Sequence, residues 1–463
     1  MLRGLIFMNP LIIDKISKKF HYYKDSGFLY TKQLLKSFPD NYRFTWVVPE
    51  QVLKKGEQQW FLDAHPNIDF IYYPYPTSIH RNRYDFYGRS ILEAIPYTRD
   101  IDFIINHQPE VAGSLRTLFD TAKRERPIIL NFFHWIDCEE SRKFGEDLGG
   151  YFYREVEGFI DADFSCFHNP YAFSLFKKEF NNRFGNMGLD SAKLTEDKVL
   201  FFKPAATKFG CEPFDLSKFK DKKIILFNHR LNQTTQWKEV VGILSGVYKD
   251  RQDFVLWITD AANKESSRIA STYEFVHVEQ LPYENYGFLM QKSHFSICNH
   301  KGYSTWNMAA LDAIYNGCFT LVPDREVYLD MFKNYEHANN FFHKDSNDLK
   351  NKIILLLDRD KITTDTIFSS PKLKHLFCPD DSIFNSKIIE TIRLRIGKEP
   401  AKYDKVIDLI TKKVDLTKKE LINSLWSFHC NSNFQRMRWR LIFKDNIKDD
   451  TTSSETLYKY IKQ

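Results

Sequence analysis

Two runs in this sequence place cations, a carboxylate and backbone donors at a spacing suited to holding a diphosphate. The first, Phe227 to Lys238, reads Phe-Asn-His-Arg-Leu-Asn-Gln-Thr-Thr-Gln-Trp-Lys and stands between an apolar strand-like stretch and an amphipathic helical one. At the strand end, Arg230 offers a planar fork matched to phosphate oxygens. Lys238, in the first turn of the helix that follows, offers a mobile point charge. The second run, Asn299 to Pro323, is a loop that enters a helix. Amides at that helix start, around Ser304, Thr305 and Asn307, have no intrahelical carbonyl to bond and can hold phosphate oxygens. Asp312, farther along the same helix, can accept hydrogen bonds from a ribose diol, and Gly317 is placed to stop the helix before the next strand.

The N-terminal half offers a different set. Asn131-Phe132-Phe133-His134 closes an apolar strand, so that His134 and the nearby Asp137 are candidates for hydrogen-bonding and acid–base work at a strand end. Gly27, after the first strand, lets the backbone approach donor phosphates closely. Asp161-Ala162-Asp163 has a spacing that metal-dependent sugar transfer uses, but it directly precedes a core strand, so no metal ligand set is expected. Neither G-x-G-x-x-G nor G-x-x-x-x-G-K-[ST] occurs, which removes the main evidence for dinucleotide or P-loop chemistry. The seven cysteines show no C-x-x-C or Cys/His ligand spacing, so reduced and mostly buried thiols are expected.

Parallel α/β architecture would bring such strand-end residues together. In the first half, apolar runs alternate with amphipathic helical stretches: Leu2 to Met8, Phe44 to Val48, Ile68 to Tyr72, Asp102 to Ile105, Pro127 to Phe133 and Ala162 to Phe167. A link around Val199 to Phe214 leads to a second alternation: Lys223 to Phe227, Phe254 to Ile258, Phe275 to Val278, Phe295 to Cys298 and Cys318 to Val322. The expected fold is therefore α/β, with two Rossmann-like domains over residues 1–200 and 215–400 facing a cleft at the carboxyl ends of their strands, and a basic helical appendage over 401–463.

Composition agrees with two ordinary cores: 463 residues, 43% hydrophobic and 27% charged. The apolar start Met1 to Phe7 is too short for a signal-peptide core and no later run approaches a membrane span, so a soluble, cytoplasmic protein without a membrane partner is expected. The net charge of +6 is concentrated in the last 63 residues, where thirteen Lys/Arg face eight Asp/Glu.

The Phe227 to Lys238 run resembles the donor-diphosphate motif of retaining glycosyltransferases of the GT-B fold. Its Thr234-Thr235-Gln236-Trp237-Lys238 is similar to a Thr-Thr-x-Trp-Lys stretch in the DNA α-glucosyltransferases of T-even phages. Its Asn228-His229-Arg230 is similar to a Pro-His-Arg of the queuosine-tRNA mannosyltransferases. Asn131 to His134 is similar to a Tyr-Gln-His of the phage family, whose following Asp is here Trp135. The resemblance implies retaining transfer of a sugar from a UDP-sugar to a hydroxyl, with no cofactor beyond the donor and no metal. The implied donor residues are Gly27, Arg230, Lys238, Ser304, Thr305 and Asp312; the implied catalytic residues are His134 and Asp137. In the related families two glutamates occupy the places of Ser304 and Asp312. With the basic tail, the resemblance points to DNA as acceptor partner, through a hydroxymethylated pyrimidine such as hydroxymethylcytosine in bacteriophage DNA, flipped out of the duplex. A transferase for surface polysaccharide or a lipid-linked saccharide, an epimerase or phosphorylase, and a non-catalytic nucleic-acid-binding protein on the same fold are the alternatives.

In the tail, Thr417-Lys418-Lys419-Glu420 forms a capping box ahead of Leu421, Ile422, Leu425 and Trp426, and a second helical stretch runs from Phe434 to Phe443. Lys418, Lys419, Arg436, Arg438 and Arg440 are the candidate DNA-phosphate ligands. Neutralising the three arginines is expected to weaken DNA binding and to flatten its log–log salt slope by roughly 0.9 for each phosphate that no longer meets a cation. Unchanged affinity and slope in a folded triple variant would show the tail to be structural.

Overall fold

The computed structural model describes residues 2–8, 26–49, 58–73, 101–121, 127–138, 152–185, 191, 194–261, 264–300, 305–332, 335, 337–360 and 382–396. The chain forms two compact units. One comprises Met1–Ile136, Gly150–Phe202 and Ile383–Gln463; the other comprises Asp137–Gly149 and Lys203–Ser382.

The first unit is built on seven strands: β1 (Leu2–Phe7), β2 (Tyr42–Pro49), β3 (Ile68–Tyr73), β4 (Phe103–Asn106), β5 (Ile128–Phe133), β6 (Phe164–Phe167) and β7 (Val199–Phe201). Their order is β3-β2-β1-β4-β5-β6-β7 and every neighbouring pair is parallel. Six were expected. The seventh falls where the sequence suggested a link, because a run as short as Val-Leu-Phe has no periodicity of its own and is fixed by pairing with β6.

The apolar runs are continuous rather than alternating because both faces of the sheet are covered. Ile6, Trp46, Val48, Ile105, Leu130 and Phe132 belong to one buried cluster, and the intervening Leu5, Phe7, Val47, Ile104 and Ile129 to another. Each fully buried side chain of this kind contributes about 1.5–3 kcal/mol relative to exposure. On the first face the sheet is covered by α1 (Ser26–Lys36), through Phe28, Tyr30, Leu34 and Leu35. The late helix Ser382–Arg395 adds Ile388 and Ile392 there, although it lies within the span expected for the second domain.

Asp163, the second carboxylate of the Asp-Ala-Asp triplet, is engaged at the amino end of the sheet. Its Oδ2 accepts from Arg116 at 2.7 Å and from the Ile129 amide at 2.8 Å, while Arg116 also donates to the Asp161 and Pro127 carbonyls. The carboxylate thus joins two strand starts through a buried guanidinium.

The second unit carries six parallel strands: β8 (Lys223–Phe227), β9 (Phe254–Ile258), β10 (Val276–Val278), β11 (Phe295–Ile297), β12 (Thr320–Pro323) and β13 (Phe342–His343). They are ordered β10-β9-β8-β11-β12-β13. Five were expected; β13 is two residues long and owes its existence to its pairing with β12. Ile224, Leu226, Val255 and Trp257 pack on Leu289, Met290 and Ala313 from the covering helices. Among the described residues no helix is long and apolar enough to cross a membrane. Of the described cysteines, Cys138, Cys166, Cys298 and Cys318 are buried and Cys211 is exposed, all as free thiols.

Two glycines make opposite predictions. A Cβ on Gly158 would lie 2.0 Å from the Pro109 carbonyl oxygen, whereas one on Gly242, inside the helix Trp237–Tyr248, meets nothing within 4 Å. Gly158→Ala is expected to destabilise the chain by about 1–3 kcal/mol through overpacking. Gly242→Ala should stabilise it by roughly 0.5–1 kcal/mol through backbone entropy. Urea midpoints check both, and equal shifts would refute the packing assignment.

Candidate functional site

In each sheet the strand order reverses once, between β1 and β4 and between β8 and β11. At such a reversal the connections leave in opposite directions and open a crevice at the carboxyl ends. Both crevices are lined by polar residues that follow directly on apolar strands.

In the second unit, β8 runs into Asn228, His229 and Arg230. Asn228 braces the crevice, donating from Nδ2 to the Ala309 carbonyl at 2.7 Å and accepting from Ser296 Oγ at 3.3 Å. Asp260, just beyond β9, accepts from the Leu231 amide at 2.8 Å. Asn232 and Thr235 then fold the chain back: Asn232 Oδ1 accepts from Thr234 Oγ1 and the Thr235 amide, and Thr235 Oγ1 donates to the Arg230 carbonyl at 2.8 Å. The turn closes at Gln236, whose φ of 50° is the left-handed value of a non-glycine residue, and the helix α2 (Trp237–Tyr248) begins with no side-chain cap on its first amides. A strained residue and an uncapped helix start place positive potential at this point. The Arg230 and Lys238 side chains are exposed beside it.

Immediately before Arg230 stands a residue for which sequence alone suggested no role. His229 is buried, and its Nε2 has no hydrogen-bond partner among the described residues. Burial, reinforced by the nearby His300, lowers its pKa to about 3, so the ring is neutral. On the adjacent strand end, Asn299 Nδ2 donates to Glu239 Oε2 at 2.8 Å, while its buried Oδ1 has no partner among the described residues. A buried polar atom left unpaired costs about 1–3 kcal/mol, so two at neighbouring strand ends mark a place built to receive hydrogen bonds.

The helix α3 (Met308–Tyr315) starts later than the Ser304 to Asn307 expected from sequence, because Asn307 is its N-cap and its side chain accepts from the Ala310 amide at 3.0 Å. Thr305 is buried just ahead of it, and Gly317 ends it with a φ of 97°. Ser304 lies outside the described residues, as do Lys418, Lys419, Arg436, Arg438 and Arg440.

Asp312 is engaged within the protein. Its Oδ1 accepts from the Thr207 amide at 2.7 Å, while Asn316 accepts from the Phe209 amide at 3.0 Å and donates to the Thr207 carbonyl at 2.7 Å. The pair clamps the segment entering the second unit along the helix. Burial raises the Asp312 carboxyl to about 7, against the opposing hydrogen bonds from Thr207.

In the first unit three successive strands each end on a histidine: His107 after β4, His134 after β5 and His168 after β6. All three are buried. His107 Nδ1 lies 2.9 Å from His134 Nε2, and the two rings stack with centroids 5.2 Å apart. His168 stands edge-on to His134 at 5.7 Å, and Tyr30 and Phe202 close the group. Burial and the neighbouring His134 hold both His107 and His168 well below the ordinary histidine range. Asn131 serves as support, accepting from Asn106 Nδ2 and donating to the Gly158 carbonyl, each at 2.7 Å. Gly27 lies in the first turn of α1, where its carbonyl accepts from Thr31 Oγ1 at 2.8 Å. Asp137 is fully buried and falls in the second unit. The repeated pattern of an apolar strand followed by histidine was the available signal for His107 and His168.

No protein-family model matches the chain, and no curated protein matches it significantly. Solved structures do. Anabaena HepE in complex with UDP and glucose superposes with a TM-score of 0.57 at 11% identity, covering 85% of this chain and 99% of its own. The trehalose-6-phosphate synthase OtsA gives 0.59 at 10% identity, covering 85% and 99%. The N-terminal domain of Candida albicans trehalose-6-phosphate phosphatase gives 0.56 at 14% identity, covering 86% and 97%. With the two parallel sheets, these superpositions bear out the GT-B fold class expected from sequence.

Asp312 yields a pH test. Between its ordinary 3.8 and about 7, the folded chain keeps a proton that the unfolded chain has released. Its contribution is fully present below the ordinary value and is lost as pH rises through about 7. Asp312→Asn keeps an acceptor for Thr207 and is expected to flatten that decline in urea-unfolding profiles. The same decline in the variant would show that Asp312 is not its source.

Proposed function

We propose that this protein is a retaining glycosyltransferase that moves a sugar from a UDP-sugar to a hydroxyl. The observation that carries the reading is the β8 strand end, where buried His229, whose Nε2 has no hydrogen-bond partner among the described residues, exposed Arg230, an uncapped helix start and exposed Lys238 follow in turn. When the sugar leaves, negative charge develops on the diphosphate, and preorganised donors are what that step requires. Arg230 supplies a bidentate fork and Lys238 a point charge, with the amides of the helix start between them. Thr305, and with it Ser304, is assigned to the donor at the start of the neighbouring helix. Asp312 is assigned to the ribose: its two carboxyl oxygens retain acceptor capacity beyond the Thr207 amide.

The fold supports a UDP-sugar donor because Anabaena HepE, which shares it, was solved with UDP and glucose. His134 and Gly27 of the first unit are assigned to a hydroxyl of the sugar or acceptor and to the backbone approach to the donor, and Asp137 to the base. Neutralisation of the diphosphate is assigned to the two cations rather than to a metal.

For the acceptor we propose a hydroxymethylated pyrimidine in DNA, held by Lys418, Lys419, Arg436, Arg438 and Arg440. That reading is supported by the two motif resemblances and the charge of the tail. Incubation with UDP-sugars and either hydroxymethylated DNA or hexose phosphates, in a chelator, separates the acceptors by product mass. Sugar on a hexose phosphate alone would overturn the DNA assignment.

For the donor site, Arg230→Ala and Lys238→Ala are each expected to weaken UDP binding by about 1.5–3 kcal/mol, the scale of a charged hydrogen bond. Turnover should fall further. Titration calorimetry showing wild-type UDP affinity in both folded variants would remove the assignment.

A further inference from the structure

We propose that Thr31 and His107 are positioning residues that hold neutral His134 as its Nε2–H tautomer, which makes Nδ1 the acceptor nitrogen of the ring. The tautomer follows from these residues' hydrogen bonds; its catalytic consequence rests on the reading of His134 proposed above.

The relay is short and buried. Thr31 Oγ1 lies 2.8 Å from the Gly27 carbonyl oxygen and 2.8 Å from His107 Nε2. A hydroxyl has one proton and a carbonyl has none. Thr31 therefore donates to Gly27, the usual bond of a helical threonine to the carbonyl one turn back. Were the proton turned to His107 instead, two oxygen lone pairs would face each other at 2.8 Å. With its proton committed, the Thr31 oxygen accepts, and His107 Nε2 carries the hydrogen.

Burial and the neighbouring His134 keep His107 neutral, so its Nδ1 carries a lone pair. At 2.9 Å from that lone pair, His134 Nε2 must be the donor. In its neutral form His134 is left with the lone pair on Nδ1. The stacked geometry of the two rings and the edges of Tyr30 and Phe202 fix the ring plane. Each link removes a choice from the next, from a backbone carbonyl in the first turn of α1 to a ring nitrogen at the end of β5.

The test reads the tautomers directly. Long-range 15N–1H correlation spectra of the full-length protein, recorded at about pH 8 where an ordinary histidine is neutral, distinguish Nδ1–H from Nε2–H rings. Wild-type His107 and His134 are both expected as Nε2–H. In Thr31→Val, His107 loses its acceptor and should shift toward Nδ1–H, carrying His134 with it; Thr31→Ser should restore the wild-type spectrum. Sugar-transfer kcat should fall on the order of tenfold or more in Thr31→Val and recover in Thr31→Ser, with KM for the UDP-sugar little changed. An Nδ1–H signal for wild-type His134 would overturn the proposal, as would a Thr31→Val spectrum identical to wild type. Expected spectra in a wild-type protein that transfers no sugar would instead overturn the assignment of His134 to a substrate hydroxyl, leaving the tautomer relay standing.

Discussion

A parallel strand buried on both faces is apolar at most positions, and admits a polar side chain only where a partner inside the core satisfies it, as Asn131 does with Asn106 and Gly158; this constraint organises the chain. Leu5 to Phe7, Ile104 to Ile105 and Ile224 to Phe227 are apolar at every position because alternate residues enter different cores. Chemistry is displaced to the first residues beyond each strand. His107, His134, His168, His229 and Asn299 all occupy such places.

Placing polar groups at the mouth of a core has consequences for their charge. A buried imidazole is far cheaper neutral than protonated, and His107, His168 and His229 are all depressed for that reason. Neutral imidazoles are directional, each with one donor and one acceptor, so a hydrogen bond such as that between His107 and His134 carries information about proton position that a charged pair would not. Asp312 follows the same physics with opposite sign: removal from water raises its carboxyl, and the Thr207 hydrogen bonds only partly offset that.

The second unit shows how an exposed cation can be given a defined place. Arg230 is held by its backbone rather than by its side chain: Thr235 takes its carbonyl, Asp260 takes the next amide, and Asn228 before it is tied to the Ala309 carbonyl. The left-handed Gln236 is the strain accepted in reversing the chain so that Lys238 follows within one turn. Rigid backbone beneath mobile charged side chains suits a site that must bind an anion and release it.

The α/β alternation and most strands of both sheets were legible from sequence, since a doubly buried strand leaves a long apolar run. The places of Arg230 and His134 just beyond apolar runs, and of Lys238 in the first turn of a helix, were legible too. Strands β7 and β13 were not: they are two or three residues long, and pairing rather than composition makes them strands. Nor were the start of α3, the membership of Ile383–Arg395 in the first unit, or the engagement of Asp312 by Thr207, 105 positions away. The sequence by itself determined the alternation of strands and helices and which polar residues follow the apolar runs. Only the tertiary structure decided their company and their protons, because burial and hydrogen-bond partners are contributed by segments far apart in the chain.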